Sequence, residues 1–174
     1  MLGEYVDLYD ENKQFIGNKV FREKGKRAKI PKGFRNIVVI CFMENSKGEF
    51  LFQMVSKEKG SIWATTGGHV KSGETSLDGI INEIKEELDL DILPGELTLF
   101  KTYKEEYSFR DVYYLKKDID ISKLKYQEQE VSYVKYLTKD EIFNLIDNNM
   151  LRKTNITRVW LCSNFWTPRP SCCR

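Results

Sequence analysis

Hydrophobic and polar residues alternate with different periods along the chain, and the changes of period mark out its elements. Residues 4–9 (EYVDLY) and 14–20 (QFIGNKV) are alternating or apolar runs joined by Asp10-Glu11-Asn12-Lys13, which predicts a β-hairpin. Residues 36–43 (NIVVICFM) are continuously apolar and β-branched at their start, the pattern of a strand covered on both faces. Asn45-Ser46-Lys47-Gly48 turns the chain into a second strand over 49–55. Gly60-Ser61 breaks that strand, and residues 62–66 (IWATT) read as one short strand leading to Gly67-Gly68. The paired glycines let the backbone turn tightly and approach something closely, with phosphate oxygens as the candidate.

Beyond the glycines the period becomes helical. Leu77, Ile80, Ile81, Ile84 and Leu88 form one apolar stripe that would dock on a core. Thr75-x-x-Asp78 offers the reciprocal bonds of a capping box, so the helix starts at Thr75, and Asp78 favours the positive end of its dipole. Asp89 is one of the few non-glycine residues that can take a left-handed C-cap. After Pro94-Gly95 the pattern predicts strands at 97–107 and 110–117, then an alternating strand VSYVKYL. Thr138 caps a helix over 139–148 with Ile142, Leu145 and Ile146 on its apolar face, and residues 152–165 are expected to add another. Mixed strands with one helix on each side give an α/β fold, a three-layer α/β/α sandwich on a mixed sheet.

Length and composition narrow this only a little. A chain of 174 residues suffices for one domain with a real core and is too short to expect two. Residues 1–165 therefore read as a single domain beginning with the hairpin, and 166–174, ending TPRPSCCR, as a poorly ordered or non-native tail. A hydrophobic fraction of 41% with 31% charged residues is that of an ordinary soluble globular protein. The formal charge of +2 demands neither a nucleic-acid nor a membrane partner, and no apolar run approaches the length of a membrane span. The opening MLGEYVDLYD has no apolar signal-peptide core, so a cytoplasmic, reducing setting is the default. Cys41 reads as a buried thiol; Cys162, Cys172 and Cys173 lack zinc-ligand spacing, and His69 is the only histidine.

Chemistry enters on the other face of the first helix. Glu83, Glu86 and Glu87 stand at i, i+3 and i+4 and share one side of it. Like charges at that spacing repel by roughly 0.2–0.5 kcal/mol per pair. A cation between them removes the penalty, and clustered hard oxygens suit Mg²⁺ or Mn²⁺; the plain alternative is a solvated acidic face. Between Arg22 and Arg35 the chain carries seven Lys or Arg against one acid, Glu23. A solvated basic loop accounts for that stretch, and placement of substrate phosphates, with Arg35 as the candidate, is the functional reading.

The segment Gly68–Leu90 resembles the Nudix box, G-x5-E-x7-R-E-U-x-E-E-x-G-U with U a bulky apolar residue. Gly68, Glu74, Glu83, Ile84, Glu86, Glu87 and Leu90 match at the family spacing, whereas Asn82 replaces the arginine and Asp89 the glycine. The resemblance implies the same α/β/α sandwich and a Mg²⁺- or Mn²⁺-dependent hydrolase of the diphosphate linkage in a nucleoside diphosphate derivative. It implies Glu83, Glu86 and Glu87 as metal ligands, Glu83 also as a group that helps deprotonate water, and Glu74 as loop support or a further ligand. Gly67 and Gly68 then line the substrate, Glu130 (ahead of Glu128) is the candidate base on a loop outside the box, and a homodimer is one assembly the family uses.

The family arginine orients the neighbouring glutamates through a charged fork. Asparagine keeps hydrogen-bonding capacity but loses charge and reach, so a slow enzyme is expected rather than a dead one. Lys85 points away from Glu83 and Glu87 on a helix and offers no replacement. Two alternatives remain: a weak or inactive Nudix domain that binds a nucleotide or sugar phosphate as a sensor, and an enzyme like the isopentenyl diphosphate isomerases, which also begin with a hairpin. The latter lacks its catalytic cysteine at Ala64-Thr65-Thr66 and a histidine at Gly33-Phe34-Arg35. Trp63, Phe34, Tyr107 and Phe109 are available to stack on a base, or to fill the core.

Overall fold

The computed structural model describes residues 3–57, 60–127 and 129–152. The helix expected over 152–165, the tail, three of the cysteines and Glu128 lie outside those residues. The described chain forms β1 (Gly3–Tyr9), β2 (Phe15–Glu23), β3 (Asn36–Glu44), β4 (Phe50–Val55), β5 (Trp63–Ala64), β6 (Gly67–His69), α1 (Ser76–Leu88), β7 (Leu97–Lys104), β8 (Ser108–Lys116), β9 (Val131–Leu137) and α2 (Lys139–Asp147).

β3 is the central strand. It pairs in parallel with β8 over its whole length and antiparallel with β6, while β7 continues the sheet beyond β8. β4 pairs with β5 and β9, and meets β3 at their shared turn, Glu44 with Phe50. The mixed sheet thus lies between two helices, as the hydrophobic pattern predicts. The alternation along β3 shows why a continuously apolar strand was needed. Ile37, Val39, Cys41 and Met43 face a core with Ile80, Ile84 and Leu88 of α1, whereas Ile40 and Phe42 face a second core with Ile142 of α2. Among the described residues no helix is long and apolar enough to cross a membrane.

The ends of α1 follow from four residues. Thr75 and Asp78 make both bonds of the capping box, and Asp89 closes the helix at φ +50° with its N–H on the Lys85 carbonyl. Lys85 pairs with Asp89 and Asp91, on the side away from the glutamates.

One stretch departs from expectation. Residues 62–66 do not make one strand: β5 pairs with β4, β6 pairs with β3, and buried Thr65-Thr66 carries the chain from one pairing to the other. Gly67 and Gly68 accordingly lie in β6 rather than in a turn. A side chain on Gly67, at φ +156°, would run into the Val39 carbonyl and Ile40 of β3, so close strand packing is what requires glycine there. The β7–β8 turn also comes earlier, at residues 105–107.

The hairpin β1–β2 is a separate two-stranded sheet held at several points. Tyr9 and Arg35 exchange backbone bonds of 2.7 and 2.9 Å. Ser72 N–H donates to the Tyr5 carbonyl at 2.7 Å and Gly73 N–H to Asp7 Oδ2 at 2.9 Å. Lys13, in the turn, reaches both oxygens of Asp111 on β8 at 2.6 Å. Asp111 is fully buried and also accepts from Ser76 Oγ and Thr102 Oγ1. A carboxylate can be buried when its charge and lone pairs are met in this way.

Candidate active site

The carboxylates of α1 face the start of β6, because the apolar stripe that docks the helix leaves positions 83, 86 and 87 turned toward the loop before it. Gly68 leaves room for Glu83: a Cβ at position 68 would fall on the Glu83 carboxylate. The close approach made possible by this glycine is thus to the protein's own glutamate. Burial, together with Glu87, Glu86 and Glu4 nearby, pushes the Glu83 carboxyl up to about 8. Glu87 is buried one turn on, and burial pushes it up to about 7 although Gln53 and the Gly67 N–H favour its charged form.

Gln53 comes from β4. Its Nε2 donates to Glu87 Oε2 at 2.9 Å, and its Oε1 accepts from Thr66 Oγ1 at 3.4 Å. Both groups are buried, so the chain Thr66–Gln53–Glu87 fixes one carboxylate oxygen. Glu86 lies on the exposed edge of the face and is ion-paired with Lys71 Nζ. Glu74 caps the loop: its Oε1 accepts from Asn82 Nδ2 at 3.0 Å and its Oε2 from the Lys71 N–H at 3.3 Å. Asn82 therefore braces Glu74 and carries no charge to Glu83 or Glu87. Among the described residues no three His, Cys, Asp or Glu side chains are already arranged as a metal cage. The reason is visible in the bonds: Lys71 holds Glu86, Gln53 holds Glu87, and Glu83 packs under Gly68.

Further groups reach this site from distant parts of the chain. Gln127 N–H contacts the Glu87 carbonyl at 3.4 Å, and the Glu130 carbonyl accepts from Ser56 N–H at 3.0 Å, which seats the loop before β9 on α1 and β4. Glu130 is thereby close enough for its charge to raise the Glu87 carboxyl, while Arg152 acts in the opposite direction. Arg152 arrives because Leu151 bridges to Trp63. On the hairpin side, Arg22 donates to Glu4 at 2.6 Å. His69, at the end of β6, takes the Asn36 amide on Nδ1 at 2.6 Å, and burial beside Arg22 and Arg110 lowers it to about 4, so it is neutral.

The other candidates have structural surroundings. Arg35 donates its Nε to the Glu105 carbonyl at 2.7 Å and stacks over the Phe109 ring, whereas Lys71 pairs with Glu86. Trp63 and Phe109 are buried core, Phe34 is half-buried and Tyr107 is exposed beside the β7–β8 turn. A polar residue within the apolar run of β4 is the one signal that marks Gln53 in the sequence. Lys71, Glu4, Arg22 and Arg152 carry no such mark, since each reaches the site through tertiary packing.

Comparison with known proteins agrees with this geometry. The family model for the NUDIX domain matches residues 34–158. An uncharacterised Nudix hydrolase of Listeria monocytogenes is 31% identical over 144 residues, covering 80% of this chain and 82% of its own. A second, from Clostridium acetobutylicum, is 27% identical over 162 residues and covers 84% and 76%. The crystal structure of DR0079 from Deinococcus radiodurans shares the fold with a TM-score of 0.73 at 22% identity, covering 90% of this chain and 97% of that one. With the box glutamates on one face of α1 and the matching domain spanning most of the chain, this protein belongs to the Nudix hydrolase family.

Proposed function

We propose that this chain hydrolyses the diphosphate linkage of a nucleoside diphosphate derivative in the cytoplasm, using Mg²⁺ or Mn²⁺ held on the acidic face of α1. The observation that carries the reading is the pair Glu83, half-buried against Gly68, and Glu87, buried one turn on, both raised toward neutrality. Such a donor set fits a divalent cation: hard oxygens, mutual repulsion and burial all favour one. Glu83, Glu86 and Glu87 would hold the ion, with Glu86 released from Lys71. Bound there, it would neutralise charge on the phosphoryl oxygens and acidify the attacking water.

The chain's own residues do the rest. Gln53 fixes the direction of Glu87, and Asn82 with the Lys71 N–H fixes Glu74, which keeps the loop into α1 in one shape. Glu130 is the base in this reading, on a loop whose charge already bears on Glu87. Asn82 leaves the glutamates without the family's charged fork, and Lys85 is committed to Asp89 and Asp91, so turnover is slow.

A panel of nucleoside diphosphate derivatives incubated with Mg²⁺ or Mn²⁺ tests the proposal. Phosphate-bearing products that vanish with Glu83→Gln and with Glu87→Gln support it. Asn82 favours one rival, a nucleotide-binding sensor, and tight binding without turnover across the panel would select it.

A further inference from the structure

We propose that Lys71 is a tethered cation: it holds Glu86 while no divalent ion is present, and it moves to a phosphate oxygen of the substrate once an ion takes Glu86. The inference rests on the metal-dependent reading above and concerns how that same site recognises its substrate.

The loop that carries Lys71 is pinned. Five successive N–H groups donate: Val70 to the Ile37 carbonyl at 3.1 Å, Lys71 to Glu74 Oε2 at 3.3 Å, Ser72 to the Tyr5 carbonyl at 2.7 Å, Gly73 to Asp7 Oδ2 at 2.9 Å, and Glu74 to the Lys71 carbonyl at 3.1 Å. The backbone of Lys71 is therefore fixed from both the sheet and the hairpin, and its four-carbon stem is the part free to swing. At the tip, the ammonium pairs with Glu86 while both side chains remain partly exposed, at 35% and 54%. An ion pair of that exposure is weak and easily exchanged.

Electrostatics favours the exchange: an ion drawn to Glu86 beside Glu83 and Glu87 competes with the Lys71 ammonium for the same carboxylate and repels it. The neighbouring carboxylates are already engaged: Glu74 by Asn82 and the Lys71 N–H, and Glu4 by Arg22. The anion that arrives with the ion is the substrate's diphosphate, and a charge-assisted bond to phosphate is stronger than the exposed pair it replaces. Lys71 thus opposes the bare ion and assists the ion with its substrate.

These opposite signs are the test. Calorimetry on the full chain would titrate Mn²⁺ alone, then inorganic imidodiphosphate in saturating Mn²⁺, for wild type, Lys71→Met and Lys71→Arg. Lys71→Met is expected to bind Mn²⁺ alone about two- to fivefold more tightly and Mn²⁺–imidodiphosphate about tenfold or more weakly. Lys71→Arg keeps the wild-type order. Without Mn²⁺, Glu86→Gln is expected to bind imidodiphosphate more tightly than wild type, and the double variant Lys71→Met/Glu86→Gln to lose that gain. Loss of both affinities in proportion, or no change in either, overturns the proposal while leaving the hydrolase reading intact. A wild-type protein that takes up no Mn²⁺ in either titration overturns that reading and this inference together.

Discussion

The protein buries carboxylates in two places and treats them oppositely. Asp111, with no exposed surface, receives both contacts of Lys13 and the hydroxyls of Ser76 and Thr102. Glu87 is also buried and Glu83 half-buried, yet the charge of Glu87 works against that of Glu83, and Lys71 is bound to Glu86 instead. The first arrangement is complete within the chain and ties the hairpin to the body. The second is left incomplete, and a group that must be supplied from outside is the simplest reason to maintain it. Charge that is satisfied internally belongs to the fold here, and the proposal assigns the less fully satisfied charge to the reaction.

The comparison predicts mutations with opposite signatures. Glu83→Gln is expected to lower turnover by about 10²–10⁴-fold while leaving metal-free stability unchanged or raised, since a neutral amide removes the repulsion; product release and the unfolding midpoint check both. Asp111→Asn is expected to destabilise by about 3–5 kcal/mol, reduced by the partial exposure of Lys13. Urea unfolding measures that loss, and metal affinity per folded molecule should hardly change. A large stability loss in Glu83→Gln, or none in Asp111→Asn, breaks the contrast. Gln53→Leu is expected to weaken Mn²⁺ binding by about 10–100-fold through the freed Glu87.

A pH series sharpens the same contrast with a smaller effect. Glu83 and Glu87 have folded-state values raised above those of the unfolded chain. Their contribution to metal-free stability is therefore fully present below the ordinary glutamate range and is lost as pH rises through about 7 and about 8. His69 works on the acid side: its value is lowered to about 4, so its contribution is lost as pH falls below the usual histidine range. The unfolding midpoint of wild type relative to Glu83→Gln should fall as pH rises from the ordinary glutamate range to about 8 and level off above it. Added Mg²⁺ should flatten the fall, because the ion favours the charged form.

What was legible in the sequence is what local chemistry determines. The caps of α1, its apolar stripe and its acidic face all lie within fifteen residues of one another, and each appears in the structure as the spacing implies. The division of residues 62–69 into β5 and β6 was not legible, because it depends on which of two neighbouring strands each half meets. Lys13 and Asp111 are 98 residues apart, so neither announces the other. Arg35 illustrates the converse: a basic residue in a basic stretch suggested phosphate, and nothing local announced the Phe109 ring and the Glu105 carbonyl it meets in the fold. Gln53 went unremarked in the sequence: a polar residue in an apolar strand names no partner, and its target, Glu87, is set by how α1 lies across the sheet.

The central claim is that half-buried Glu83 and buried Glu87 on α1, repelling one another, take up a divalent cation. Calorimetric titration of the full chain with Mn²⁺ at pH 7, repeated in two buffers of different ionisation enthalpy, tests it most directly. Binding should release on the order of one proton, because carboxyls near neutrality must ionise to coordinate, and both uptake and release should disappear in Glu83→Gln/Glu87→Gln. Absence of Mn²⁺ uptake, or uptake that is unchanged in the double variant and releases no proton, would contradict the account.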